Sequence, residues 1–447
     1  MARVLVVKPA FPFPPSQGTR RVSLALLRDL ATAHEVVYLT QLEHRGERAL
    51  VPEVERLGVR VVAPLMPNHI SPLHRVLYKA KNRLISRLTG AHELSLYWSN
   101  AALRSNLRRL GRRFRPDLTI LESWETHPLR RSIRTGRVVL LAHDAAFRIL
   151  ERAVEAAGDP AERARREAKL RRLKRQEIGA WGKFDAILTL TEDDRDTILR
   201  ELTRAQAEAI GGGAGTARMP GGGSRAAARV RRLPLVRHLP VPVPEEFFEF
   251  ARPATPGKRL AFLGTFRADF NRDALTFLLR EIWPAVRARV PGAELVIAGN
   301  GYRGPLVEEA RVAGARWLGF VDDLGAFFAG IDLLLVPLRF GGGVRIRILE
   351  ALAAAAPVLA TPIAAAGLGV EDGTHLAIAE SREAIAARVE RLLAHPEEAA
   401  ALGRRGREWC AENHGAAVLR PRRLVVIDEV LHEATRLGRL DGVHPDA

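Results

Sequence analysis

The sequence predicts an α/β protein built on two doubly wound parallel sheets. Short, wholly apolar runs such as Val4 to Val7 and Leu333 to Val336 recur along the chain, and amphipathic stretches lie between them. From Arg259 onward the alternation of the two becomes regular. Short runs without polar alternation suit strands covered on both faces, and repeated strand–helix units close into parallel sheets.

The first half opens with the strand Val4 to Val7, and Phe11-Pro-Phe-Pro-Pro-Ser-Gln-Gly18 then forms a stiff loop ending in glycine. An amphipathic helix over Val22 to Leu30 precedes the strands Glu35 to Leu39 and Val59 to Ala63. Leu73, Val76, Leu77, Ala80, Leu84 and Leu88 recur at helical spacing among Arg75, Lys79, Lys81, Arg83 and Arg87. Such a basic amphipathic helix suits either peripheral contact with an anionic membrane or ordinary docking on its own domain. Strands over Leu118 to Leu121 and Val138 to Ala142 follow, the second running into His143-Asp144, where a site or a helix cap would form. Arg163 to Arg175 is densely basic, and Ala186 to Leu190 is expected to close the first sheet.

Residues 1–204 are therefore read as one domain. Ala205 to Arg232, rich in Gly, Arg and Ala, is expected to be a disordered insertion, because such a composition buries no core. Residues 233–258 are read as a stiff interdomain connection. A second domain over 259–415 contains strands at Leu260 to Leu263, Glu294 to Ala298, Ala315 to Leu318, Leu333 to Val336, Pro357 to Ala360 and His375 to Ile378. Its helices are expected over Arg272 to Arg289 and Pro305 to Ala313, with a short one near Leu324. The tail, 416–447, is helical from about Leu424 to Leu437.

Composition narrows the class. The 447 residues suffice for two or three domains. Sixty-nine basic against 51 acidic residues leave a net charge of +18, which suits anionic partners. One cysteine, Cys410, excludes an internal disulfide framework. The apolar start is too short for a signal peptide, no uncharged stretch is long enough to span a bilayer, and the expectation is a cytoplasmic protein able to rest on a membrane.

The stretch from Leu333 to Thr361 carries the chemistry. After the strand, Gly341, Gly342 and Gly343 form a loop without side chains, and a helix follows with Arg345, Arg347 and Glu350 at its start. Exposed N–H groups and two guanidinium groups suit a phosphate, and a carboxylate one turn deeper can accept from two ribose hydroxyls. The plainer alternative makes Arg347 and Glu350 a solvated i, i+3 pair.

Gly341-Gly-Gly-Val-Arg-Ile-Arg-Ile-Leu-Glu-Ala-Leu-Ala followed by Pro357-Val-Leu-Ala-Thr361 closely resembles the donor-binding segment of family 4 glycosyltransferases. The resemblance implies a GT-B fold, two Rossmann-like domains facing a cleft, and a glycine-rich-loop branch of the family. It puts Glu350 on the ribose and Arg347 on the diphosphate, with Gly342 where many relatives have a second Glu. It spans about Arg259 to Asn413 through Leu263-Gly-Thr-Phe, Val296-Ile-Ala-Gly and Leu318-Gly-Phe-Val-Asp-Asp. Gly264 and Arg267 are thereby assigned to the phosphates and the Val321 backbone to the base. Pro12-Phe-Pro-Pro-Ser-Gln-Gly18 is similar to the family's first loop, which makes Gly18 a donor-facing glycine as an alternative to a plain turn. Val138-Val-Leu-Leu-Ala-His-Asp resembles the strand leading to an active-site histidine, so His143 is assigned to the reacting centre. The implied activity is retaining transfer from a UDP- or GDP-linked sugar to a hydroxyl of a glycan, polysaccharide intermediate or lipid-linked carrier, with no metal or other cofactor.

Competing signals are weaker. Gly299-Asn-Gly-Tyr-Arg-Gly304 fits G-x-G-x-x-G but follows the second strand of its unit rather than the first. Asp194 and Asp196 sit at a helix start, where acids complement the dipole. No His and Cys cluster has zinc spacing, and the basic runs lack a nucleic-acid motif, so no nucleic acid is expected. Two other classes stay open: a catalytically inactive nucleotide-binding scaffold, suggested by Gly342, and a basic nucleic-acid binder.

Overall fold

The computed structural model describes residues 1–15, 17–66, 72–155, 158–211, 233–250, 257–302 and 304–437. They divide into two compact units, one of Met1–Phe147, Ala164–Pro240 and Pro421–Ala447, the other of Arg148–Arg163 and Val241–Arg420.

The first unit holds a seven-stranded sheet. Its strands are β1 (Arg3–Val7), β2 (Glu35–Leu39), β3 (Arg60–Val62), β4 (Leu118–Glu122), β5 (Arg137–Ala142), β6 (Ala186–Thr189) and β7 (Leu235–His238). Their order is β3-β2-β1-β4-β5-β6-β7, and every pair is parallel. Leu5, Val37, Leu121, Leu140 and Ile187 are fully buried, as the unbroken apolar runs require.

The second unit holds six parallel strands, β8 (Arg259–Leu263), β9 (Glu294–Ala298), β10 (Arg316–Gly319), β11 (Leu333–Val336), β12 (Val358–Ala360) and β13 (Ala377–Ile378). They are ordered β10-β9-β8-β11-β12-β13. In each sheet the winding reverses once, between β1 and β4 and between β8 and β11. Ligands of open α/β sheets bind at such a reversal, beyond the carboxyl ends of the strands, where diverging loops leave room.

Several elements differ from expectation. The sheet does not end at β6: Leu235 to His238, read as part of a connection, pair with β6 as a seventh strand, since prolines flank this run without interrupting it. Ala205 to Gly211, read as disordered, are the last turns of the helix Glu192–Gly211; the rest of that expectation, 212–232, lies outside the described residues. The helix expected over Arg272 to Arg289 starts at Asp269 and contains a π-turn, Leu278–Ile282, just before Pro284, which has no N–H to donate. Residues 148–163 group with the second unit although the first-domain pattern surrounds them. The C-terminal helix begins at Ala416 rather than near Leu424, with Pro421 inside it.

From Pro421 that helix belongs to the first unit. Arg423 is buried there, donating to Asp29 at 2.6 Å and to the carbonyl of Pro240. Removing one partner of a buried ion pair strands the other charge. Asp29→Ala should therefore cost about 3–5 kcal/mol in urea unfolding, and Asp29→Leu with Arg423→Met should recover most of it.

Candidate functional site

In the second unit the assigned residues gather at the carboxyl ends of β8 and β11. The glycine loop follows β11 and leads into the helix Ile346–Ala353, with Arg345 as its N-cap residue. Gly341 has φ +143° and Gly343 φ +71°, backbone that side chains rarely adopt. A Cβ on Gly341 would also lie 3.0 Å from an Arg345 Nη, so the loop and that guanidinium pack as one piece. Arg345 is buried and donates to the carbonyls of Gly342 and Gly343, the latter at 2.6 Å. Gly341 is buried, while Gly342 and Gly343 are half-exposed.

Arg347 does not form a solvated pair with Glu350. It reaches across to β8, donating to the Leu263 carbonyl and, at 2.8 Å, to Asn271 Oδ1, with its guanidinium 5.9 Å from the Phe262 ring centroid. Both hydrogen-bond partners are neutral. Burial, reinforced by the charge of Arg345, pushes its pKa down to about 9, so the cation is poorly compensated. Gly264 lies directly against it, because a Cβ there would stand 3.0 Å from Arg347 Nη1. Glu350, one turn further along, is 2% exposed.

Two neighbouring glycines have packing reasons. A Cβ on Gly299 would fall 1.7 Å from the Gly264 carbonyl oxygen, and one on Gly301 would fall 2.7 Å from the Arg267 side chain. The apparent dinucleotide fingerprint thus serves close approach to Gly264 and Arg267. Arg267 is exposed; Val321 is half-buried on the core after β10.

The first unit brings its two assigned residues toward a buried polar cluster. Gly18 is exposed and starts the helix Gly18–Ala31, which carries Ser23 inward. Lys8 follows β1 and Glu122 ends β4, so both stand where the winding reverses. Lys8 Nζ donates to Thr19 O at 2.5 Å, Ser23 Oγ at 2.6 Å and Glu122 Oε2 at 3.1 Å. Ser23 Oγ lies 2.7 Å and His143 Nε2 3.2 Å from the same carboxylate oxygen. Burial would raise the Glu122 pKa, but Lys8, His143 and Ser23 outweigh it and hold the carboxyl down to about 2. An ionised carboxylate only accepts, so His143 Nε2 must carry the proton. Burial also lowers the His143 pKa, favouring neutral imidazole, whose Nδ1 is then a buried acceptor without a partner among the described residues.

Four further site residues carried no decisive signal in the sequence. Lys8 and Glu122 were visible only as single charges at the ends of apolar runs, and Ser23 carried no signal. Arg152 was missed as well; it donates to the Gly341 carbonyl, adding a third guanidinium at the loop. Asp194, read as a helix-start acid, does sit at one: its N–H donates to Thr191 Oγ1 at 3.0 Å, and it accepts from the Ala145 N–H at 3.1 Å. Among the described residues, no group of three or more His, Cys, Asp or Glu could hold a metal ion.

The charge on Glu122 makes a measurable prediction. Its folded pKa, about 2, lies below the ordinary 4.5, so it contributes stability above 4.5 that is lost as pH falls toward 2. In urea unfolding across that range, the stability gap between the wild type and Glu122→Gln should close by about 3 kcal/mol as the pH drops. A gap constant with pH would show that Glu122 is not the charged member.

Residues 257–395 match the model for group 1 glycosyl transferases (Glyco_trans_1_4). A GDP-mannose-dependent α-(1-6)-phosphatidylinositol monomannoside mannosyltransferase of Mycolicibacterium smegmatis is 34% identical over 157 residues, 32% of this chain and 41% of the relative. An uncharacterised 44.6 kDa protein from the cps region of Klebsiella pneumoniae is 27% identical over 154 residues, 32% of this chain and 39% of its own. The chain thus spans about two fifths of the length of these curated relatives. Among solved structures, Anabaena HepE in complex with UDP and glucose superposes with a TM-score of 0.64 at 12% identity, over 96% of this chain and all of that one. Sucrose-phosphate synthase from Thermosynechococcus elongatus gives 0.65 at 14% identity, over 97% and 100%. Two parallel-sheet units with these neighbours establish the GT-B fold, and within it residues 257–395 are those that match the group 1 glycosyl transferases.

Proposed function

We propose that the protein is a retaining glycosyltransferase of the family 4 type, working without a metal and taking a UDP- or GDP-linked sugar as donor. The acceptor is a hydroxyl of a glycan, a polysaccharide intermediate or a lipid-linked carrier, reached from the cytoplasmic side. The observation that carries this reading is Arg347, a half-buried cation whose hydrogen bonds among the described residues all go to neutral oxygens, beside Gly264 and one turn from the buried Glu350. A nucleoside diphosphate would supply the missing anion to Arg347 and two ribose hydroxyls to Glu350. HepE, solved with UDP and glucose, and the GDP-mannose-dependent relative support a nucleotide-sugar donor.

Catalysis in this reading is electrostatic. As the glycosidic bond breaks, negative charge grows on the departing diphosphate, and Arg347, Arg345, Arg267 and the loop N–H groups stabilise it. The acceptor attacks the same face of the sugar. His143 positions sugar or acceptor, its orientation held by Glu122. Gly342, lacking the carboxylate many relatives carry, favours one other reading, a nucleotide-binding scaffold without turnover.

Isothermal titration with UDP and GDP, together with assays of sugar release and transfer, separates the two. Arg347→Ala and Glu350→Ala should weaken nucleotide binding by roughly thirtyfold or more, the loss expected when one partner of a buried charged contact is truncated. Unchanged affinity in both folded variants would end the donor-site reading. Tight binding with neither transfer nor hydrolysis across a donor and acceptor screen would identify the scaffold.

A further inference from the structure

The helix Pro72–Thr89 is built inside out. Its buried residues among those described, Asn82 and Ser86, are polar; Tyr78, half-buried like Ile85, donates to the Tyr97 carbonyl at 3.2 Å, and Ser86 donates to the Ala91 carbonyl at 2.7 Å. Three of its leucines point the other way, with Leu77 58%, Leu84 58% and Leu88 77% exposed. Seven and eleven residues are close to two and three helical turns, so these three line up in one stripe. The ordinary arrangement, with leucines inward, is the reverse. Among the described residues, nothing in the first unit's packing accounts for a leucine row in water.

Cations frame the stripe. Lys81 and Arg87 lie on either side of it and are exposed, as are Arg83 and Lys79 further round the helix. The helix's C-terminal end meets the basic helix Pro160–Trp181, where Arg172 donates to the Gly90 carbonyl at 3.1 Å and Gln176 donates to the same atom. That contact carries the basic surface on to the exposed Lys169, Arg171 and Arg175. The first unit thus offers an apolar ridge with positive charge beside it.

We infer that this face docks on an anionic lipid surface, the leucines entering the headgroup–acyl boundary and the cations meeting lipid phosphates. Apolar burial and attraction to anionic lipid then act together, as in helices that lie in the plane of the interface. A second copy of the chain fits less well, because like charges along the ridge would face each other. Nucleic acid would meet the cations but has no use for the leucines. Among the described residues no helix is long and apolar enough to cross a membrane, so the contact is peripheral. It stands independently of the transferase reading.

Co-sedimentation of the full chain with vesicles tests it, using pure phosphatidylcholine against equal parts of phosphatidylcholine and phosphatidylglycerol. The wild type should bind the anionic vesicles and not the neutral ones. Leu77→Gln, Leu84→Gln and Leu88→Gln combined should lower binding about tenfold or more, since the transfer free energy of three exposed side chains is lost. Lys81→Gln with Arg87→Gln should lower it roughly fivefold per cation and flatten its salt dependence. Both variants should keep the wild-type melting temperature and nucleotide affinity, so a failure here is distinct from a failure of the donor site. Equal partition onto both vesicles, or anionic binding indifferent to the leucines, would overturn the inference. So would a wild-type dimer in sedimentation velocity that the leucine variant converts to monomer, or tighter retention on duplex DNA than on vesicles.

Discussion

Desolvating a charge is expensive, and the two units answer that cost differently. In the first unit the Glu122 carboxylate is buried beside Lys8, Ser23 and His143, so its charge is compensated from within the unit, while His143 Nδ1 is left without a partner among the described residues. In the second, Arg347 is held by a carbonyl and an amide oxygen while Arg345 repels it. Neutral oxygens orient a guanidinium but do not neutralise it. An arrangement that leaves positive charge unsatisfied at the mouth of a backbone-lined loop is one that gains most from an incoming anion.

The doubly wound topology puts both clusters at equivalent places. Each sheet reverses its winding once, and at the carboxyl ends of the flanking strands stand Lys8 and Glu122 in one unit, Gly264 and the glycine loop in the other. Rigid strands buried on both faces hold these positions, so groups far apart in sequence meet with little freedom left to lose. Arg347 and Asn271 are an example: 76 residues separate them, and the strand ends bring them to hydrogen-bond distance. Preorganisation of this kind suits a site whose work is stabilising charge, because donors already in place need no rearrangement when charge develops.

Local sequence settled much of this chain. Val4 to Val7, Leu118 to Leu121, Leu260 to Leu263 and Leu333 to Val336 are strands because unbroken apolar runs must be covered on both sides. Gly341 and Gly343 mark a loop whose dihedral angles only glycine adopts comfortably. The order of alternating elements was enough to expect two parallel sheets, and the wording of residues 341–361 was enough to single out Arg347 and Glu350.

Tertiary structure alone decided what those side chains face. No local rule distinguishes a solvated Arg347 from one turned under Gly264, since the difference lies in a strand end some eighty residues earlier. Lys8 and Glu122 looked like strand-ending charges until β1 and β4 were found side by side. The helix Pro72–Thr89 showed its amphipathic period in sequence, but periodicity states only that two faces differ; which one turns inward depends on the polar partners, Tyr97 and Ala91, that the neighbouring chain presents. Sequence carries the periods and the backbone permissions, because these act within a few residues. Packing assigns partners, because burial and charge compensation are properties of neighbours in space.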